Sequence, residues 1–244
     1  MSTKLSAIIL SLIFLLTSCG TLDLAQIQKE AEKALGSTSN PLTNEKVVLG
    51  LKQALEIGSQ NAANKVSATD GYLKNPRLFI PFPPEALKAE EKLRQLGFDK
   101  LVDDFVLSIN RAAEDAGKEA APIFINAVKN ISIQDGFTIL KGSNDAATNY
   151  LRDNTSSQLK EAFQPKISNS LSKVNATKYW TDVISTYNKI PGITDINPSL
   201  DGYVTDLAIK GLFVVVENEE EKIREDPAAR VTELLKDVFG SVTK

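Results

Sequence analysis

Apolar residues return every three or four positions along most of this chain, and that period demands helices. Val47, Leu51, Ala54, Leu55, Gly58, Ala62 and Val66 keep one face for about five turns, with Thr43 placed to cap the start. A second long run from about Asp99 carries Val102, Phe105, Val106, Ile109, Ala113, Ala116, Ala120, Ile123 and Ala127 on one side. Pro122 should kink it. Strand-like alternation is nearly absent, so the class is all-α. No internal repeat of solenoid period is present.

One segment resists the helical pattern. Asp70 to Pro84 holds four prolines, which remove backbone donors and push preceding residues into extended conformations. Yet Tyr72, Leu73, Leu78, Phe79, Ile80 and Phe82 are too apolar for a solvated loop. The expectation is an ordered strap over a bundle-like multi-helix domain, with Leu78 to Phe82 as a short strand. Further helices are expected at 86–96, 135–140, 146–152, 156–174, 177–187, 200–225 and 227–239, the last stopping at Gly240. Ile190 to Pro198 reads as a second extended connector.

The missing residue types exclude whole chemistries. There is no histidine and one cysteine, Cys19. Ser-His-Asp and Cys-His catalysis, and zinc, copper or haem sites built on those ligands, have no residues to work with. A disulfide within one molecule is impossible, so stability must come from a packed core. A net charge of −3 gives no footprint for nucleic acid and no polybasic signal for anionic lipid.

The first residues carry an address. Lys4 precedes the apolar run Leu5 to Leu16, and Thr17 and Ser18 lead into Cys19. That run is shorter than the ~20 residues a membrane span needs. Leu16-Thr-Ser-Cys19 resembles the lipobox of bacterial lipoproteins, which implies cleavage before Cys19 and lipidation of its thiol. The organisation expected is a signal peptide at 1–18, a lipid-anchored helix and linker at 19–41, and a helical domain at 42–240. Gly20 is not the aspartate associated with inner-membrane retention, so the expected location is the outer membrane, facing the periplasm.

Several phrases match one family. They are Gly50-Leu-Lys-Gln-Ala-Leu55, Asp70-Gly-Tyr-Leu73 with Asn75-Pro76, and Asn110-Arg-Ala-Ala-Glu114. Asp135-Gly136 with Ile139, Leu140 and Gly142 continues the series, then Ala146-Ala-Thr-Asn-Tyr150. The most specific is Gly211-Leu-Phe213 followed by Glu219-Glu-Glu-Lys-Ile-Arg224 and Asp226-Pro227. On these the chain resembles a bacterial family of exported proteins and lipoproteins catalogued only as a domain of unknown function. The resemblance implies a single helical domain and a cell-envelope location. It transfers no catalytic residue and no ligand.

Two polar clusters stand out. Glu220 and Arg224 are spaced for a helical ion pair, as are Glu219 and Lys222, and the reading preferred from sequence is a solvated, salt-bridged face. Against it, Glu219 falls on the apolar line of Leu212, Val215, Val216 and Ile223, where a carboxylate must be paired or shift its pKa. A buried structural pair and an ion-binding or catalytic site remain the alternatives. Asn110, Arg111 and Glu114 repeat the theme and read as a buried network fixing helix register. Asp135, Gly142, Asp145 and Thr148 lack the spacing of a calcium loop, and Asp135 reads better as an N-cap. Trp180 and Tyr179, near Tyr187, read as helix packing rather than a binding wall.

The function expected is a non-enzymatic binding or structural module of the cell envelope, with no cofactor and no metal. Its partner is an envelope protein, peptidoglycan or an apolar ligand, and it meets the membrane through lipid on Cys19. One alternative is a peptidoglycan-acting enzyme working through carboxylates, since glycoside cleavage needs no histidine. The Glu-Ser pair usual in all-α lytic enzymes is absent, because no glutamate here precedes a serine. A carrier of an apolar ligand between helices is the other alternative.

Overall fold

Thr43 opens the first helix as its spacing predicts, its hydroxyl accepting from the Lys46 amide at 3.3 Å. The computed structural model describes residues 43–173, 175–192 and 199–242. Those residues hold nine α-helices and no strand: α1 (Asn44–Ser67), α2 (Leu87–Gln95), α3 (Asp99–Ala116), α4 (Ala120–Lys129), α5 (Ile133–Lys141), α6 (Ala146–Lys173), α7 (Ala176–Asn188), α8 (Leu200–Glu225) and α9 (Glu233–Val242). The fold is all-α, and Pro41–Lys244 forms one compact unit. The signal peptide expected at 1–18, Cys19, the anchored helix and linker expected at 19–41, and most of the connector before Pro198 lie outside the described residues.

α6 and α8 pack along each other more extensively than any other pair, and α1, α3, α4, α5 and α7 gather around them. The sequence of α6 explains its central place. Ala147, Leu151, Thr155, Leu159, Phe163, Ile167 and Leu171 are all buried at a constant spacing of four. Four residues turn a helix by ~400°, so the buried line drifts ~40° at each step. Over its length α6 therefore presents apolar surface to one neighbour after another. That drift also hides it from a fixed-period reading. Two helices were expected here, and one continuous helix is found, running through Pro165.

The long run from Asp99 departs from expectation at a different point. α3 ends at Ala116, and a 3₁₀ turn at Gly117–Glu119 precedes α4. Gly117 sits against α1, where an added Cβ would lie 2.8 Å from Val66 Cγ2. The break therefore comes at Gly117 and not at Pro122, which falls in the first turn of α4, where no amide hydrogen is missed. Past α8, Pro227 starts only a 3₁₀ turn, and α9 passes through Gly240 to Val242.

The strap at 68–84 is ordered, as expected, but contains no strand. Turn bonds link Lys74 to Asp70 and Phe79 to Asn75, and Tyr72, Leu78, Ile80 and Phe82 are buried. In place of a neighbouring strand, Asn110 of α3 supplies both ladder bonds to Ile80, accepting from its amide and donating to its carbonyl, each at 2.9 Å. At the strap's end Phe82 meets Phe105 and Trp180, with ring centroids 5.0 and 5.7 Å away, and Trp180 stacks on Phe105. Trp180 is thus packing, joining α3, α7 and the strap.

Tyr72 ties the strap to α8, its hydroxyl donating to the Ala208 carbonyl at 2.6 Å. The ring needs Gly211, because a Cβ there would lie 2.8 Å from Tyr72 Cε1. Gly211→Val should therefore overpack a fully buried contact and lower stability by ~1–3 kcal/mol. Thermal denaturation by circular dichroism measures it, and an unchanged melt would contradict this seating of the strap.

Candidate functional site

Glu219 and Glu220 are only 6% and 7% exposed, so the solvated-face reading is corrected. The reason is the position of α8. Successive residues on a helix point ~100° apart, so Asn218, Glu219 and Glu220 together span ~200°. Each meets a different element. Asn218 accepts from Arg77 of the strap, Glu219 from α1, and Glu220 from the start of α6.

Glu220 caps α6 from outside. Its carboxylate accepts from the Ala147 amide at 3.0 Å, the Thr148 amide at 2.8 Å and the Thr148 hydroxyl at 2.8 Å. These are otherwise unsatisfied donors at the positive end of a long helix. Arg224 closes the arrangement, donating from Nε to Glu220 at 2.9 Å. The same guanidinium donates to the carbonyls of Ile139 at 2.8 Å and Leu140 at 3.2 Å, at the negative end of α5. One ion pair therefore satisfies two helix ends of opposite polarity. Arg230, also buried, donates to the Ile223 and Arg224 carbonyls at 3.0 and 2.7 Å and finishes α8 the same way.

Glu219 is held by Lys65 and Asn61 of α1 and by Lys222 one turn on. Burial opposes its ionisation, but the hydrogen bonds from Lys65, Lys222 and Asn61 together outweigh burial and hold its pKa below the ordinary value. Glu114 accepts from the Tyr72 and Leu73 amides at 3.2 and 3.3 Å and from Arg111 at 2.6 Å. Arg111 reaches on to Asp70 at 2.7 Å. Asp70 has a left-handed φ of 67°, and its carboxyl is pulled below the usual range by Lys74 and then by Arg111.

Asp135 is not the N-cap of α5. Ser132 is, and Asp135 at the third helical position completes a capping box with it. Among the described residues no three carboxylates converge as a metal site would require. The candidate residues thus form two networks, Asn110, Arg111 and Glu114 under the strap, and Glu219, Glu220 and Arg224 at the helix ends. Cys19 lies outside the described residues.

Thr148, Arg230, Asn61, Lys65 and Asp70 complete these networks, roles that their local spacing does not reveal. A signal for some of them was available: the phrases Ala146 to Tyr150 and Glu219 to Arg224 meet in space, as do Asp70 to Leu73 and Asn110 to Glu114. Residues 41–240 match the model of a family described as a protein of unknown function (DUF4197). The chain belongs to that family. No curated protein and no solved structure matches it. The match spans both networks.

Removing Arg224 leaves Glu220 buried without its counter-charge, and such losses cost ~3–5 kcal/mol. Arg224→Ala should therefore lower the melting temperature sharply, and Glu220→Gln less, since glutamine keeps one acceptor for the α6 amides and Arg224 keeps the Ile139 and Leu140 carbonyls. Glu219 gives a pH test. Its folded pKa lies below the ordinary 4.5, so its carboxylate stabilises the fold above that value, and the contribution fades as pH falls through the folded value. Denaturation midpoints followed from pH 7 to pH 3 should fall more steeply for the wild type than for Glu219→Gln. Asp70 and Asp115 keep some acid sensitivity in both, because their carboxyls are lowered too.

Proposed function

We propose that this chain is a lipid-anchored interaction module of the cell envelope, held through Cys19 and acting by binding rather than bond cleavage. Leu16-Thr-Ser-Cys19 after a short apolar run supports the anchor, and Gly20 supports the outer membrane, facing the periplasm. Acyl chains at ~0.8 kcal/mol per buried CH₂ hold such a protein firmly once two or more are attached. Among the described residues no helix is long and apolar enough to cross a membrane.

The observation that carries the binding half is the state of the buried carboxylates. Glu114 and Glu220 accept mainly from backbone amides and guanidinium groups, and Glu219, itself buried, accepts from Asn61 and from the half-exposed Lys65 and Lys222. A general acid or base must reach a substrate proton at hydrogen-bond distance. These oxygens point into the protein and are already engaged, which favours architecture over catalysis.

Cell fractionation tests the anchor. The wild type should label with lipid and stay with membranes through a high-salt wash, and Cys19→Ser should lose both. Cys19→Ser protein that still sediments with membranes would overturn the lipoprotein reading. Purified peptidoglycan incubated with the protein should release no sugar. Release that is lost in a folded Glu219→Gln or Glu220→Gln variant would establish the enzyme instead.

A further inference from the structure

The two networks leave a group of charges on the outer side of α8 without full partners. Between the strap, the end of α1 and the later turns of α8 lies an open cleft of about 460 Å³, with Leu78 and Val215 at its base. That volume falls within the range of small-ligand sites. Lys65 and Lys222 line it, and both bond the single carboxylate of Glu219. Two ammonium groups thus share one negative charge, and each side chain is about half exposed. Arg77, on the strap rim, donates to Asn218 Oδ1 at 2.9 Å and has no carboxylate partner among the described residues.

The opposite charge lines the same cleft and is concentrated toward the end of α8. The Glu221 side chain lines the cleft with no hydrogen bond or ion pair among the described residues. Glu225 accepts from the Asn144 amide group and Asp226 from the Ala228 amide, both neutral donors, so neither is paired with a cation among the described residues. The order along α8 is therefore defined. Arg77, at the level of Asn218, and Lys65, at the level of Glu219, mark one end; Glu225 and Asp226 mark the other. Asn218 and Asp226 are eight residues apart, which on a helix is ~12 Å.

A simple anion would meet Glu221 and the acidic end, and a simple cation would meet Lys222 and the basic end. The two levels are separated by ~9–12 Å of helix rise, and a ligand carrying both charges over a comparable span can meet each end. An extended peptide advances ~3.3 Å per residue, so a chain of about four residues spans that separation. Its carboxylate can take two parallel bonds from a guanidinium, and the Asn75 side chain lining the cleft offers an amide to its backbone. We propose that this cleft binds short zwitterionic peptides, with the C-terminal carboxylate on Arg77 and Lys65 and the N-terminal amine toward Glu225 and Asp226. The proposal deepens the interaction-module reading and rests on it.

Calorimetric titration of the full chain in detergent micelles tests this. The probes are tetra-alanine, N-acetyl-tetra-alanine, tetra-alanine amide and the doubly blocked peptide. Tetra-alanine should bind, and blocking either end should weaken binding by ~10-fold or more, equivalent to ~1.4 kcal/mol. Arg77→Ala should erase the penalty for amidation while keeping that for acetylation, and Glu225→Gln should reduce the penalty for acetylation. Circular dichroism confirms that each variant is folded. Absence of tetra-alanine binding at millimolar concentration by folded protein, or equal binding of the doubly blocked peptide, would overturn the proposal.

A tetrapeptide containing diaminopimelate, as in a cell-wall stem, distinguishes the source. Tighter binding than tetra-alanine assigns the cleft to wall peptides, and equal binding assigns it to free peptides. Repeating the titration with Cys19→Ser separates this proposal from the anchoring one, because loss of the anchor should leave the cleft intact.

Discussion

Glu220 and Arg224 leave water together, and the cost of that transfer is offset by the two helix ends they meet. An isolated buried pair often only breaks even against an apolar replacement. Here the carboxylate also accepts from two amides and a hydroxyl at the start of α6, and the guanidinium donates to two carbonyls at the end of α5. All of those backbone groups would need partners in any arrangement that buried them. The pair therefore joins α5, α6 and α8 at one point and determines their relative register. Arg230 and Thr232 extend the joint, the first closing α8 and the second bonding Gln53 of α1 at 2.8 Å.

The strap solves a related problem by other means. It lacks the regular bonds of helix or sheet, so the backbone groups that its turn bonds leave over take partners from side chains. Asn110 stands in for a neighbouring strand at Ile80, and Glu114 receives the amides of Tyr72 and Leu73. Tyr203 adds a bond to the Pro81 carbonyl at 3.1 Å, and burial raises its phenol pKa to about 12. Because α3 supplies amide and carboxylate while α8 supplies Gly211 and the Ala208 carbonyl, the strap binds those two helices to each other as well as to itself.

Helix content was readable because most helices keep a fixed apolar face, and α1 and α8 follow their sequence boundaries closely. α6 was read as two pieces because its buried line drifts around the axis, which a single-face pattern cannot represent. The break at Gly117 and the strand replaced by Asn110 depend on contacts with distant residues, Val66 in one case and Ile80 in the other. Local spacing carries no trace of either. The same limit applied to Glu219 and Glu220. Their spacing to Lys222 and Arg224 describes a surface pair equally well, and only the enclosure of α8 by α1, α6 and the strap makes them buried.

That enclosure also orders the proposed activity. On its inward sides α8 commits Glu219 and Glu220 to neighbouring helices, so those carboxylates are fixed in position and charge. Fixing Glu219 draws Lys65 and Lys222 together against their mutual repulsion, which places net positive charge at the edge of the cleft. The strap, pinned from below by Asn110 and Glu114, presents Arg77 beside them. The cleft therefore inherits its geometry from the two buried networks. A peptide bound there would contact the charged rim and the apolar Leu78 and Val215, while the spacing of the charged groups is set by residues it never touches.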